Sequence, residues 1–250
     1  MKLDSVLIVG ATSAIAAATA RALLGTCSTF VLAARNSERL NIIAKDLRSR
    51  GADAVLSMPY DALHDTDRDV VADTQQLLGT LPDAVLIAHA VLPEHDAIVH
   101  DAANAHQVLE INTVSVLALC THVCRHFEQR GSGILAVISS VAADRGRRNN
   151  FLYAASKAAL DVYLDGLRLR WSAHWPLLRV LTIKPGYVRT PMTAQLASMP
   201  LAARADDVGH SIAQLLRRGA SGRYYIPWWW RVVMTVVRIL PDRLVMLIRH

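Results

Sequence analysis

Cysteine is scarce in this sequence, three among 250 residues. An odd number cannot pair completely, and Cys120 and Cys124 fall four apart on a predicted helix, where they read as one buried face. A disulfide framework is excluded and a reducing, cytoplasmic setting is expected. Charge is sparse too: 19% charged residues against 52% hydrophobic ones place the chain well outside the disordered range. No Gly-, Pro- or Ser-rich run marks a linker and no period suggests a solenoid, so the chain reads as one domain around one core. The net charge of +6 comes mostly from arginines scattered along predicted helices, without a dense basic run or interleaved aromatics. Nucleic acid is therefore not an expected partner. No His/Cys/Asp/Glu cluster has the spacing of a metal site. No basic region, apolar run and cleavage site follow one another at the N-terminus, so no export signal is expected.

What is present is a rhythm of short apolar runs between helical stretches. Val6 to Val9, Phe30 to Ala33, Ala54 to Met58, Ala84 to His89, Ile134 to Ser139, Val180 to Ile183 and Tyr224 to Ile226 read as strands. Near-continuous apolar strands alternating with helices mean a parallel sheet covered on both faces. The predicted helices are Ala14 to Leu24, Ser37 to Arg50, Asp65 to Leu78, Ala103 to Arg130, Leu152 to Trp175 and Asp206 to Arg218. The expected fold class is α/β: a doubly wound, Rossmann-type parallel sheet of about seven strands over residues 1–226, with a C-terminal amphipathic helical extension over 227–250. Ligands of such sheets bind beyond the carboxyl ends of the strands.

The first strand ends in Gly10-Ala11-Thr12-Ser13-Ala14-Ile15-Ala16 and opens a helix, where a pyrophosphate meets helix N-terminal amides. Ala14 and Ala16 stand where such turns usually carry glycine, so an ordinary tight strand-to-helix turn is the alternative. After the second strand, Ala33-Ala34-Arg35-Asn36 offers a guanidinium and no carboxylate, which favours a ribose 2′-phosphate over a 2′-hydroxyl and hence NADP(H) over NAD(H). A solvated arginine at a helix start is the alternative. Asp61 either accepts from an adenine amino group or caps the next helix. Tyr153 and Lys157 lie one helical turn apart on one face, and Ser140 ends a strand. A phenol with an ordinary pKa near ~10 needs a neighbouring cation to exchange protons near neutrality, and Lys157 supplies one. Ser140 would hold a substrate oxygen beside Tyr153.

Gly10 to Ala16, Asn112, Ser140, Tyr153-Ala-Ala-Ser-Lys157 and Pro185-Gly186-Tyr187-Val188-Arg189-Thr190 resemble, in order and spacing, the short-chain dehydrogenase/reductase family. The resemblance runs from about Val6 to Ile226. It implies hydride transfer between a nicotinamide and a carbonyl or alcohol. It further implies that Asn112 carries a water in a proton relay to Lys157, that Lys157 grips the nicotinamide ribose, and that Thr190 holds the carboxamide or phosphates. Catalytic residues are then Asn112, Ser140, Tyr153 and Lys157. The cofactor set is Gly10, Thr12, Ser13, Ala14, Ile15, Arg35, Asp61, Ala88, His89, Ala90, Tyr153, Lys157, Pro185, Gly186, Val188 and Thr190. Read without the family, Asn112 is a helix cap and Thr190 a loop hydroxyl. Ala88-His89-Ala90-Val91 departs from the family's usual Asn-Asn-Ala-Gly, and His89 either lines the cleft or packs there. Long helices beside the active-site strands imply a homodimer by the same resemblance.

Ser139 to Tyr153, Lys157 to Asp161 and Pro185 to Met192 are also similar to one branch, the decaprenylphosphoryl-2-keto-β-D-erythro-pentose reductases, which implies a lipid-linked 2-ketofuranose as substrate. Arg145, Arg147 and Arg148 then either grip a phosphodiester or form a solvated basic loop. The last segment, Pro227-Trp228-Trp229-Trp230-Arg231 onward, has apolar stretches far shorter than the ~20 residues that cross a bilayer. Arg231, Thr235, Arg238, Asp242 and Arg249 cluster on one face, with Pro241 breaking the helix. The apolar face either lies on lipid headgroups, making the protein peripheral on the inner face of the membrane, or covers the protein's own core or a dimer partner. Two other functions stay open: reduction of a steroid-like or acyl ketone under a C-terminal lid, and a non-enzymatic nucleotide-sensing or membrane-scaffold role.

Overall fold

The structure, a computed structural model, describes residues 3–92, 94, 96–196, 199 and 201–246. Arg249, one of the residues expected on the polar face of the last segment, lies outside them. A seven-stranded, wholly parallel sheet runs in the order β3-β2-β1-β4-β5-β6-β9. Its strands are β1 (Ser5–Val9), β2 (Thr29–Ala34), β3 (Ala54–Pro59), β4 (Ala84–Ile87), β5 (Ser132–Ile138), β6 (Leu177–Pro185) and β9 (Gly222–Ile226). Both faces of the sheet are buried, which is why the strands read as unbroken apolar runs and do not alternate. Between them lie α1 (Ala14–Leu23), α2 (Ser37–Ser49), α3 (Val70–Leu78), α4 (Asp96–Val99), α5 (Ala102–Leu109), α6 (Ser115–Arg130), α7 (Phe151–His174) and α8 (Ala205–Arg217). A small pair, β7 (Val188–Arg189) with β8 (Ala203–Arg204), escaped the sequence reading because two-residue strands carry no periodicity.

Three local departures matter for the site. Helix α3 starts at Val70 and not at Asp65, because the Asp69 carboxylate accepts from Val71 and Ala72 amides and caps it there. Asp61 therefore does not cap this helix. It accepts from the Leu63 amide in a local turn, while its own amide donates to Asp65. Second, the expected single helix over 103–130 is interrupted by a π turn at Glu110–Val114 between α5 and α6, which places Asn112 inside a helical run and not at a cap. Third, β1 and β4 are the neighbours from which the chain winds outward in both directions, so the crevice beyond their carboxyl ends is the topological switch point.

Beyond the sheet, α9 (Trp230–Ile239) and the short α10 (Asp242–Val245) bracket Pro241. Trp230 and Met234 are buried with Val141 and partly covered Tyr187, Tyr225, Trp229 and Val237. Arg145 donates to the carbonyls of Val237, Arg238 and Leu240 and pairs with Asp242, so it satisfies the end of α9. The apolar face is wider than one docking surface can cover. Trp228, Val232, Val236 and Ile239 remain exposed.

Candidate active site

The cleft at the switch point has a volume of about 420 Å³ and gathers most of the sequence-predicted cofactor residues. Gly10, Thr12, Ser13, Ala14, Ile15, Arg35, Asp61, Ala88, His89, Ala90 and Thr190 all line it. Gly10 has φ +81°, and a Cβ there would lie 2.4 Å from the His89 nitrogen, so both the torsion and the close approach of β1 to β4 require glycine. The turn folds back through Ser13 N–H to the Gly10 carbonyl at 2.9 Å. Ser13, the N-cap of α1, makes no side-chain cap, so the first-turn amides are left for an anion at the cleft. Ala14 and Ala16 do not obstruct it: Ala16 is buried in the core and Ala14 is at the rim.

Arg35 and Arg39 both line the second-strand side of the cleft, with Asn36 capping α2 between them by accepting from the Arg39 amide. Arg39 was missed; an arginine one helical turn after Arg35 was the signal available. Tyr60 and Met192 are likewise lining residues that the sequence reading did not select. Tyr153, Lys157, Pro185, Gly186 and Val188 are not among the residues that line this cleft. A Cβ on Gly186 would lie 1.8 Å from Trp230 Nε1, so the indole sits directly on this turn, and Val188 is buried in the main core.

His89 is half-buried in the cleft wall. Ser115 Oγ donates its one proton to the Ile111 carbonyl at 2.8 Å, so in its 2.9 Å contact with His89 Nε2 it accepts. Nε2 thus carries the hydrogen and Nδ1 is left as a bare acceptor with no partner. Burial, with Lys157 nearby, pushes the imidazole pKa down to about 3, so it is neutral. The Tyr60 hydroxyl is a second buried, unpartnered polar group, its ring 6.0 Å from the His89 ring. Two orphaned polar atoms and open helix amides in one cleft fit a polar, phosphate-bearing ligand such as a dinucleotide.

At the carboxyl end of β5 the chain turns through Ser140, whose Oγ accepts from the Ala142 amide at 3.1 Å. Tyr153, in the first turn of α7, is raised above its usual 10.0 by burial and drawn partly back by a hydrogen bond with Ser140. Lys157 is 1% exposed, donates to the Ile138 carbonyl at 3.1 Å and lies 6.0 Å from the Tyr153 ring. Desolvation lowers its pKa to about 8, against the opposing pull of Asp161. Asn112 is 0% exposed: its amide accepts from Val91 N–H at 2.8 Å and donates to the Val91 carbonyl at 2.9 Å. The side chain is thereby committed to bracing a residue of the cleft wall.

Residues 4–200 match the family model of the short chain dehydrogenases. The chain is a member of that family. It is an oxidoreductase acting on CH–OH or C=O groups, and the family's chemistry runs on a nicotinamide cofactor. Its relatives include an uncharacterised oxidoreductase of Mycobacterium tuberculosis (strain H37Rv), 34% identical over 94% of this chain and 93% of that one. Another is the cis-4-hydroxycyclohexanecarboxylate dehydrogenase of Sinomonas cyclohexanicum, 32% identical over 86% of this chain and 89% of that one. Among solved structures the fold is shared with a gluconate 5-dehydrogenase from Burkholderia cenocepacia in complex with NADP and tartrate. Its TM-score is 0.80 and its identity 19%, over 93% of this chain and 96% of that one. It is also shared with a variant of the actinorhodin polyketide ketoreductase with NADPH, at TM-score 0.78 and 20% identity over 91% and 97%.

Proposed function

We propose that this short-chain dehydrogenase is an NADP(H)-preferring carbonyl reductase whose reacting groups are Tyr153, Ser140 and Lys157. The carrying observation is the buried Lys157 ammonium, held on the Ile138 carbonyl beside Tyr153 with its pKa near 8, a cation placed where a phenol must give up a proton. The nicotinamide, when bound, supplies the hydride. Ser140 Oγ holds the substrate oxygen, Tyr153 donates its phenolic proton to that oxygen, and Lys157 stabilises the phenolate that results. Asn112 supports the proton path by fixing the π turn and Val91. The α1 amides, Thr12, Ser13 and Thr190, which line the cleft, would hold phosphates or carboxamide, and Arg35 with Arg39 would meet a 2′-phosphate. NAD(H) would lack that last partner.

For the substrate, the favoured class is a cyclic ketone carrying an anionic group. A relative 32% identical acts, by its name, on a hydroxycyclohexanecarboxylate, and Arg147 and Arg148 lie on the segment between Ser140 and Tyr153. Arg145 is not available, being spent on α9. The larger form of the same class is a 2-ketofuranose linked to polyprenyl phosphate, favoured by exposed Trp228, Val232, Val236 and Ile239 beside Arg231 and Arg238. That surface would rest on the inner face of a membrane while residues 1–226 remain in the cytoplasm, with 227–250 an extension and not a separate domain. Exposed Val162 and Leu169 on α7 suit a homodimer. The sensing or scaffold role is less favoured, because it gives the buried Lys157 no task.

The test follows NADPH oxidation with 4-oxocyclohexanecarboxylate and with a 2-ketofuranosyl polyprenyl phosphate. Turnover lost by about 10³-fold in Tyr153→Phe, with NADPH binding retained, is the expected result. Tight NADPH binding with Tyr153→Phe as active as the native chain would sink the assignment.

A further inference from the structure

Below Ser140 lies a charged cluster that the proposed chemistry does not use. Lys184 on β6 is 0% exposed, and the side chains of Asp144 and Asp161 are 3% and 8% exposed. The Lys184 ammonium donates to Asp144 Oδ1 at 2.8 Å and pairs with Asp161 Oδ2. The remaining carboxylate oxygens are also engaged: Ser139 Oγ donates to Asp161 Oδ1 at 2.6 Å and the Tyr225 hydroxyl donates to Asp144 Oδ2 at 2.9 Å. The Tyr225 ring covers the ammonium, with Nζ 5.5 Å from its centroid.

Burying three charges is a poor route to stability, since desolvation offsets most of their attraction, and apolar residues of similar volume commonly do as well. What the cluster does achieve is geometric. Residues 139 and 144 are the two ends of the segment that carries Ser140, and one ammonium reaches both, through Asp161 at the first end and directly at the second. Asp161 is one helical turn beyond Lys157 on α7, so the same carboxylate ties that segment to the helix bearing Tyr153 and Lys157. Between the two anchors the chain makes a single 3-10 turn, Val141–Asp144, whose Ala142 amide donates to Ser140 Oγ.

We infer that Lys184 is a positioning residue for Ser140: with Asp161, Asp144 and Tyr225 it clamps both ends of the 139–144 segment and holds the Ser140 hydroxyl in register with Tyr153. This rests on the assignment of Ser140 as the group that holds the substrate oxygen, but the clamp itself is a statement about backbone order. Lys184 touches neither substrate nor cofactor and acts only through this segment.

The experiment joins hydrogen exchange, which needs no substrate, to a kinetic cycle. Lys184→Met and Tyr225→Phe are each compared with the native chain in the presence of NADPH. Exchange of the 139–145 amides should rise about tenfold in both variants, with β1 and α1 unchanged. Should Lys184→Met fail to fold, Tyr225→Phe, which removes a single oxygen, carries the test. Reduction of 4-oxocyclohexanecarboxylate by Tyr225→Phe should show kcat down about fivefold at unchanged KM for NADPH, and that loss should vanish in the Ser140→Ala background. Unchanged exchange in 139–145, or a rise spread evenly over the whole domain, overturns the clamp. So does a Tyr225→Phe loss that persists in full without Ser140. If Ser140→Ala alone leaves turnover intact, the reading of Ser140 fails instead, and the exchange result still decides the clamp.

Discussion

The two halves of the cleft are built by different means. On the β1–β4 side the walls are mostly uncharged, a left-handed Gly10, uncapped α1 amides and the unpartnered side-chain atoms of His89 and Tyr60, with positive charge at the Arg35 and Arg39 rim. On the β5–β6–β9 side the geometry is held by buried charge, with Lys157, Lys184, Asp144 and Asp161 all nearly free of solvent. A ligand that is large, polar and always the same can be met by amides that need no reorganisation. A reacting oxygen whose charge changes needs a cation nearby, and a buried cation carries a cost in folding.

The largest expected effect therefore comes from Lys157, where stability and activity should move in opposite directions. Its folded pKa of about 8 lies below its ordinary 10.5, so between those values the unfolded chain binds more protons and stability rises with pH. Below pH 8 the charged amine weakens the fold. Lys157→Met should thus raise stability at pH 7 by roughly 1–3 kcal/mol, less than the full shift because the bond to Ile138 is also lost. Thermal unfolding at pH 7 and at pH 10 checks it: the gain should shrink at the higher pH. In the same variant reduction should fall by about 10²- to 10⁴-fold. For the native chain, kcat/KM for reduction should decline as pH rises through about 8. No acid limb from His89 is expected above its pKa of about 3. A Lys157→Met protein less stable than the native one at pH 7 would remove the contrast between the halves.

Next come the two ways to damage the mostly uncharged half. Gly10→Ala places a methyl 2.4 Å from the His89 nitrogen at a left-handed torsion, so β1 and β4 must separate at the switch point. Dinucleotide affinity should fall by about 100-fold, read by tryptophan fluorescence, the strain itself being on the order of 1–3 kcal/mol. Arg35→Ala should be milder and selective: about tenfold weaker NADPH binding, with NADH nearly unchanged. Equal losses for both would place the 2′-phosphate elsewhere, with Arg39 the first alternative on the same wall.

The same division explains what could be read from the sequence. The seven sheet strands and the strand-to-helix turn at Gly10 were legible because continuous apolar runs and a Gly at a strand end are local signals. The start of α3 was not, since the Asp65 to Asp69 stretch reads as helix until the Asp69 carboxylate is seen capping Val71 and Ala72. The π turn shifts one hydrogen bond and leaves the apolar period of the flanking helix untouched. The clamp was invisible because Lys184 sits in a strand run and Asp161 on a helix 23 residues earlier, and nothing local says they meet. Ser140, Tyr153 and Lys157 were singled out by spacing and chemistry and then joined by the resemblance, which alone supplied Asn112, and the geometry now gives each a physical setting in which its proposed role can be tested. Arg145 shows the reverse: a basic residue on the segment before Tyr153, suited by position to an anion, turned out to end a helix.

The smallest expected effect lies in the extension, whose apolar face covers the protein's own core in part and leaves the rest exposed. Trp230 and Met234 point inward, with the Trp230 indole against the Gly186 turn, while Val232, Val236 and Ile239 lie on the opposite side of α9. The proposed contact with an anionic membrane surface would use this uncovered side together with Arg231 and Arg238. Ile239→Ser removes the most exposed of these side chains, 78% accessible, without touching the docked ones. Partition onto vesicles of phosphatidylglycerol should drop about fivefold, with turnover of the water-soluble ketone unchanged, since partly burying one such side chain in lipid is worth about 1 kcal/mol. If vesicle binding is unaltered while the protein shifts from dimer to monomer in sedimentation, the uncovered face belongs to a second copy, and the membrane reading is replaced by an assembly in which each extension caps its partner.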